Sequence, residues 1–200
     1  MTSKNNTLRM KIQTALRLGV GNIIVVVLYR LILKSGLCEK ILKKGVGYTE
    51  PLFNPSATQP PCLVRASKDL LDLADGLLEG SLPYFSHSTH HAGTPPEWFR
   101  SPINTRGLSD GELHWSRLNE FGSDVGDIKQ IWEPSRFDWA LVLARAFRVS
   151  GETKYFQALN DWACDWTRRN PFNIGLNWKC GQEVGLRMLT RSEEHTSELQ

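Results

Sequence analysis

The chain has 200 residues, 40% hydrophobic and 22% charged, the composition of an ordinary globular protein rather than a disordered or fibrous one. Its length suits one domain with short additions, at about 100–200 residues per domain. The net charge of +3 comes without any dense Lys/Arg block, so nucleic acid is not an expected partner.

The charge is unevenly placed. Arg191 against Glu193, Glu194 and Glu198 gives −2 for the last ten residues and leaves +5 for the rest. Most of that surplus precedes residue 45, in Lys4, Arg9, Lys11, Arg17, Arg30, Lys34, Lys40, Lys43 and Lys44. Within this leader, LGVGNIIVVVLY (residues 18–29) resembles the apolar core of a signal peptide. It falls short of the ~20 apolar residues of a transmembrane helix. Arg30 and Lys34 interrupt it, and no small-x-small cleavage site follows closely. Leu16, Val20, Ile23, Ile24, Val27, Leu28, Leu31 and Ile32 instead predict a helix with one broad apolar face. That face is expected to dock within the protein, with a peripheral membrane contact through residues 16–34 as the rival.

Residues 46–65 carry four prolines and read as a linker between the leader (residues 1–45) and the main domain (residues 66–190). A short helix is expected over 66–79, where Leu70, Leu71, Leu73, Ala74, Leu77 and Leu78 alternate with Asp and Lys and Gly80 stands ready to end it. Residues 81–128 have no sustained period and read as loop with short strands. A loop so long in a compact domain is often functional.

Pro134 then suits the first turn of a helix, with Glu133 at the positive end of its dipole. Phe137, Ala140, Leu141, Ala144 and Phe147 recur at helical spacing as far as Ser150-Gly151. A second helix, from Glu152, carries Tyr155, Phe156, Leu159, Trp162, Ala163 and Trp166 and stops before Asn170-Pro171. A third begins near Trp178 and is still running at Thr190. Helix, turn, helix, loop, helix predicts an all-α fold, a partial (α/α) toroid built of antiparallel hairpins behind the irregular segment.

The final ten residues, RSEEHTSELQ, have no core-forming pattern. They read in frame as AGA TCG GAA GAG CAC ACG TCT GAA CTC CAG, which looks like a sequencing-library adapter. The expectation is a non-native tail over 191–200 and a natural chain cut short near Thr190.

Seven tryptophans are many for this length. Trp139, Trp162 and Trp166 fall on apolar helix faces and read as core. Trp98, Trp115, Trp132 and Trp178 sit in loops or at helix starts beside polar residues, where a flat apolar face with a donor edge suits packing or stacking on sugar rings. GDIKQIWEPSRFDW (residues 126–139) puts Trp132, Glu133 and Arg136 within one turn, and the Arg136 fork fits a carboxylate or sulfate. The bland alternative is a local Glu–Arg pair. NWKCGQEVGLR (residues 177–187) repeats that chemistry with Asn177, Trp178, Glu183 and Arg187, the last two being neighbours on one helix face. Candidate substrate-binding residues are therefore Trp132, Glu133, Arg136, Asn177, Trp178, Glu183 and Arg187.

His87, His90 and His91 lack a matching carboxylate or Cys at ligand spacing, so no metal is expected. Cys38, Cys62, Cys164 and Cys180 form no C-x-x-C pair and read as buried thiols. No glycine-rich phosphate loop, nucleophile elbow or Cys/His pattern is present, and no cofactor is implied.

In order, YFSHSTHHAGTPPEWFRSPI, HWSRL, GDIKQIWEPSRFDWALVLARAFRVSGETKYF and NPFNIGLNWKCGQEVGLR resemble the N-terminal region of heparinase II/III-like polysaccharide lyases. The opening LRLGVGNIIVVVLYRLILKSG is similar to the leader of a bacterial branch of that family. The resemblance covers most of residues 10–190 and is strongest over 126–151 and 175–187. It implies an incomplete (α/α) toroid followed by a β-sandwich domain, an acidic polysaccharide as substrate, and eliminative cleavage at uronic acids. A periplasmic or cell-envelope location is then expected over a cytoplasmic one. The family assigns neutralising the uronate carboxylate, removing the proton and protonating the leaving oxygen mainly to an Asn/His-rich segment and a Tyr further along the toroid, and to a sandwich His. No position here matches them, so no catalytic residue is named and the chain itself is expected to be inactive. Two rivals stand beside this reading: a glycoside hydrolase on a helical toroid, using Glu133 and Glu183, and a non-catalytic carbohydrate-binding or assembly protein of a polysaccharide gene cluster.

Overall fold

A computed structural model describes residues 10, 13, 14, 17, 19–45, 53, 67–103, 112–118 and 127–197, the last seven by backbone alone. The chain divides into two units, Met1–Lys43 and Lys44–Gln200. The described part is mostly helical, with one two-stranded antiparallel sheet.

The first unit holds helix α1 (Val20–Ser35) and helix α2 (Leu37–Ile41). Gly36, at φ 74°, ends α1, and its N–H bonds back to the Leu33 carbonyl; glycine takes this left-handed position without the strain a Cβ would add. Val20, Ile24, Leu28 and Ile32 form the expected apolar line, with Leu16 outside the described residues. No residue of α1 is buried within its own unit. Among the described residues, no helix is long and apolar enough to cross a membrane.

In the second unit, helix α3 spans Lys68–Leu78, with Ser67 Oγ accepting from the Leu70 N–H at 3.3 Å. This cap satisfies one of the orphan donors that every helix start leaves. Gly80, at φ 87°, then turns the chain. A Cβ there would lie 2.7 Å from the His91 ring, so both the backbone and the close approach require glycine. Strands β1 (Ser81–Tyr84) and β2 (Ser88–His91) follow as an antiparallel hairpin in which Tyr84 faces Ser88. Of the linker only Phe53 is described. Its N–H donates to Asn160 Oδ1 at 2.9 Å and its carbonyl accepts from Asn160 Nδ2 at 3.2 Å.

The predicted start of the next helix is corrected. A short helix α4 (Lys129–Trp132) runs into a 3₁₀ turn over Glu133–Arg136, Phe137 takes a left-handed φ of 67°, and only then does helix α5 (Asp138–Ser150) begin. Pro134 occupies the first turn of the 3₁₀ segment, which tolerates its missing N–H as an α-helix start would. The buried stripe accordingly falls on Trp139, Ala140, Leu143 and Ala146. Phe137, Ala144 and Phe147 lie only at its margin.

Helix α6 (Thr153–Arg169) pairs with α5. Phe147 meets Phe156 at 5.1 Å, Trp139 meets Trp162 at 5.2 Å and Phe137 meets Trp166 at 4.9 Å. Numbers fall on one side as they rise on the other, so the two helices are antiparallel, as the short Gly151 turn requires. These rings join Ala74 and Leu77 of α3, Leu82 and Tyr84 of β1, and the fully buried Trp98 in the main core. Leu118, Ile128, Ile131, Trp132 and Leu176 form a second cluster. Beyond a 3₁₀ turn at Leu176–Trp178, helix α7 runs over Gly181–Ser197. It starts three residues after Trp178 and passes Thr190 into the Arg191–Ser197 segment, whose Ser, Glu, His and Thr extend an existing helix at low local cost.

Leu143 is fully buried, so Leu143→Ala is expected to cost about 2–5 kcal/mol in urea unfolding. Asp75, whose carboxyl is held below its usual range chiefly by a hydrogen bond from the exposed Lys154, is expected to cost under about 1 kcal/mol as Asp75→Asn. A reversed order of the two would contradict this placement of the core.

Candidate functional site

The two Trp-plus-Glu/Arg segments, read separately in the sequence, meet in one network. Arg136 stands at the end of the 3₁₀ turn and donates from Nε and Nη2 to both carboxylate oxygens of Glu183, at 2.8 and 2.7 Å. Its remaining nitrogen, Nη1, donates to Glu133 Oε2 at 2.6 Å. Glu133 Oε1 in turn accepts the backbone N–H of Phe85 at 2.8 Å. One planar fork therefore joins the 3₁₀ turn to α7 and, through Glu133, to the tip of the β-hairpin. Charge-assisted, bidentate bonds of this kind are the strong class. The bonds it donates to Glu183 hold the Arg136 guanidinium above its ordinary pKa.

The local Glu133–Arg136 pair foreseen as the bland alternative is thus present, and it is half of a larger set. Glu183 and Arg187 share a helix face, yet Glu183 spends both oxygens on Arg136. Arg187 instead donates from Nη2 to the Asn177 carbonyl. It lies 5.4 Å from the Trp166 ring and 5.5 Å from the Trp178 ring. Arg187 is only 5% exposed, and burial pulls its pKa down to about 10, against the opposing push of the Glu183 carboxylate. A base whose native pKa is depressed gives up its proton more readily folded than unfolded. Stability therefore rises with pH only above about 10, and at neutral pH the buried charge subtracts from it.

Asn177 is fully buried, and its Nδ2 donates to Asn170 Oδ1 at 2.8 Å. Asn170 also donates to the Trp166 carbonyl at 2.9 Å and accepts from Trp178 Nε1 at 3.3 Å. Trp132 is buried too, its indole N–H donating to the Leu176 carbonyl at 3.0 Å. Trp178 is half-buried against Phe172 and Trp166. All seven sequence-derived residues thus fall around the junction of the 3₁₀ turn, the 170–178 loop and α7.

Two residues of this region escaped the sequence reading. Asn170 read as a helix stop because Pro171 follows it, but it is the hub between Trp166, Asn177 and Trp178. Tyr84 read as loop; it is fully buried, its phenol is pushed up by burial and by Glu133, and its hydroxyl has no hydrogen-bond partner among the described residues. Its signal was strand alternation, weak over four residues. Arg187 Nη1 and Asn177 Oδ1 likewise lack a partner among the described residues.

A separate cavity of about 260 Å³, lined by His91, Glu97, Arg100 and Ser101 among others, includes none of the seven. His87 and His90 make local contacts to the Phe85 carbonyl and Ser88 Oγ. Among the described residues no three His, Cys, Asp or Glu gather as a metal site would. Cys38, Cys164 and Cys180 form no disulfide, and Cys62 lies outside the described residues. No family model, curated protein or solved structure matches the chain.

Glu183→Ala is expected to cost about 2–4 kcal/mol by urea unfolding. That is below the ~3–5 of a fully buried pair, because Arg136 keeps a quarter of its side chain in solvent. Tyr84→Phe removes a buried hydroxyl that has no partner among the described residues, so it is expected to be neutral or stabilising. A loss above about 1 kcal/mol would mean that the hydroxyl is partnered.

Proposed function

We propose that the chain is the N-terminal, substrate-groove part of a heparinase II/III-like polysaccharide lyase, built as the first hairpins of an (α/α) toroid. The intact protein cleaves uronic-acid-containing polysaccharide by β-elimination. In that reaction the C5 proton, next to the uronate carboxylate, is abstracted. The C4–O bond breaks as a C4–C5 double bond forms, and the leaving oxygen is protonated. The protein must offset the carboxylate charge, remove the proton and supply one.

The ordered sequence blocks support this reading, and one observation carries it on the structural side. A buried guanidinium, that of Arg187, lies against two adjacent indole rings, with one donor unpartnered among the described residues, and the side-chain oxygen of Asn177, whose carbonyl it binds, is also unpartnered among them. Buried polar atoms left unsatisfied in a native structure call for an explanation. A cation beside aromatic rings and an amide oxygen has the chemistry that a carboxylated sugar requires. The residues that move protons are assigned outside these positions, so this chain binds without cleaving.

The hydrolase alternative fits less well. It needs one carboxyl held protonated as a general acid. Here both Glu133 and Glu183 take short bonds from the Arg136 guanidinium, so their carboxylate oxygens are committed as acceptors within the fold rather than free to donate to a leaving group.

The purified chain is expected to bind at least one of heparin, alginate or another polyuronate more tightly than a neutral glucan, and to release no UV-absorbing unsaturated uronate. Release of that product would overturn the inactivity. Equal affinity for neutral and acidic polymers would sink the groove, and new reducing ends without the unsaturated product would favour the hydrolase.

A further inference from the structure

We infer that α1 is a peripheral anchor that lies in the surface of an anionic lipid bilayer. This inference is independent of the lyase reading and survives or fails on its own. Ile24, Val25, Leu28, Tyr29 and Ile32 recur at intervals of three and four, so they share one side of the helix. Their exposures run from 40% for Ile32 to 64% for Val25. A continuous apolar surface of this kind marks an interaction site. Arg30 and Lys34, one turn apart, fall on the opposite side together with Ile23, Val26 and Val27, and their stems can reach up to charged headgroups while apolar surface is immersed.

Two observations select a lipid surface over other occupants. The first is charge: before residue 45 there are nine Lys or Arg against the single Glu39, a cluster that anionic headgroups attract and that a second copy of the same basic leader would repel. The second is length. The 16 residues of α1 extend about 24 Å at 1.5 Å per residue, short of the ~30 Å hydrocarbon core, and Arg30 interrupts the run. A basic, apolar helix too short to span therefore lies along the interface rather than through it. Gly36, at φ 74°, breaks the rod so that Lys40, Lys43 and Lys44 follow on a separate segment.

The experiment is co-sedimentation of the full chain with vesicles of phosphatidylcholine alone or with 30% phosphatidylglycerol, at low and high salt. The expected result is binding to the anionic vesicles that drops at least about tenfold at high salt, with little on phosphatidylcholine. Ile24→Asp/Leu28→Asp and Arg30→Glu/Lys34→Glu should each reduce binding by about tenfold or more. Both pairs are solvent-exposed, and unchanged circular dichroism and urea midpoints would confirm that the fold persists. Absence of binding to anionic vesicles, binding that survives both double substitutions, or equal binding to neutral vesicles overturns the inference. So does self-association in sedimentation velocity that Ile24→Asp/Leu28→Asp abolishes while vesicle binding stays absent.

Discussion

The arrangement of the second unit depends on one guanidinium. Arg136 uses Nε, Nη1 and Nη2, and its three bonds end on two carboxylates from different places in the chain: one on Glu133, three residues back, and two on Glu183, forty-seven residues on. Because Glu133 also accepts from the hairpin tip at Phe85, the 3₁₀ turn, the hairpin and α7 share a single hydrogen-bonded centre. The planar fork fixes the relative orientation of these elements more tightly than apolar contact alone would, since dispersion is nearly indifferent to small rotations and a bidentate bond is not. The two carboxylates outnumber Arg136 by one charge, and Arg187, electrostatically coupled to Glu183, restores the balance.

Around that centre the aromatic residues have two uses. Trp139, Trp162 and Trp98 fill the core, and the first and last of these also direct their indole N–H to the Pro134 carbonyl and Asp165. Trp166 bridges both uses: it packs on Phe137, donates to Ser135 Oγ at 2.9 Å, and offers its face to Arg187. The strained left-handed backbone at Phe137 is what lets this ring lie against Trp166 while Arg136, one residue earlier, reaches Glu183. Non-glycine residues in this region carry an energetic cost and persist only where the surroundings hold them.

Much of the local structure was legible in the sequence. Gly80 follows the end of α3 as expected, and the Trp139–Trp162 face of the helical pair follows from spacing alone. The start of α5 was not, because a proline in the first turn suits a 3₁₀ turn as well as an α-helix, and nothing local signals the left-handed Phe137. Nor was the partner of Glu183. Spacing points to Arg187 one turn away, but the closer match in three dimensions is Arg136, which tertiary folding brings near and which no one-dimensional period encodes. The candidate residues were found by their chemistry. That they form one centre rather than two, with Asn170 as its hub, depends on contacts between distant parts of the chain.

The central claim is that the buried Arg187 is kept for an acidic sugar rather than for stability, and Arg187→Met tests it most directly. Methionine is a flexible apolar replacement, and burial outweighs the opposing push of Glu183 on the Arg187 charge, so removing that charge is expected to cost little stability. The account predicts a urea unfolding free energy within about 1 kcal/mol of the parent chain, the size of the lost bond to the Asn177 carbonyl, together with a loss of polyuronate affinity of about tenfold or more. A variant destabilised by several kcal/mol that still binds polyuronate with parental affinity would contradict it, and would make Arg187 a purely structural residue.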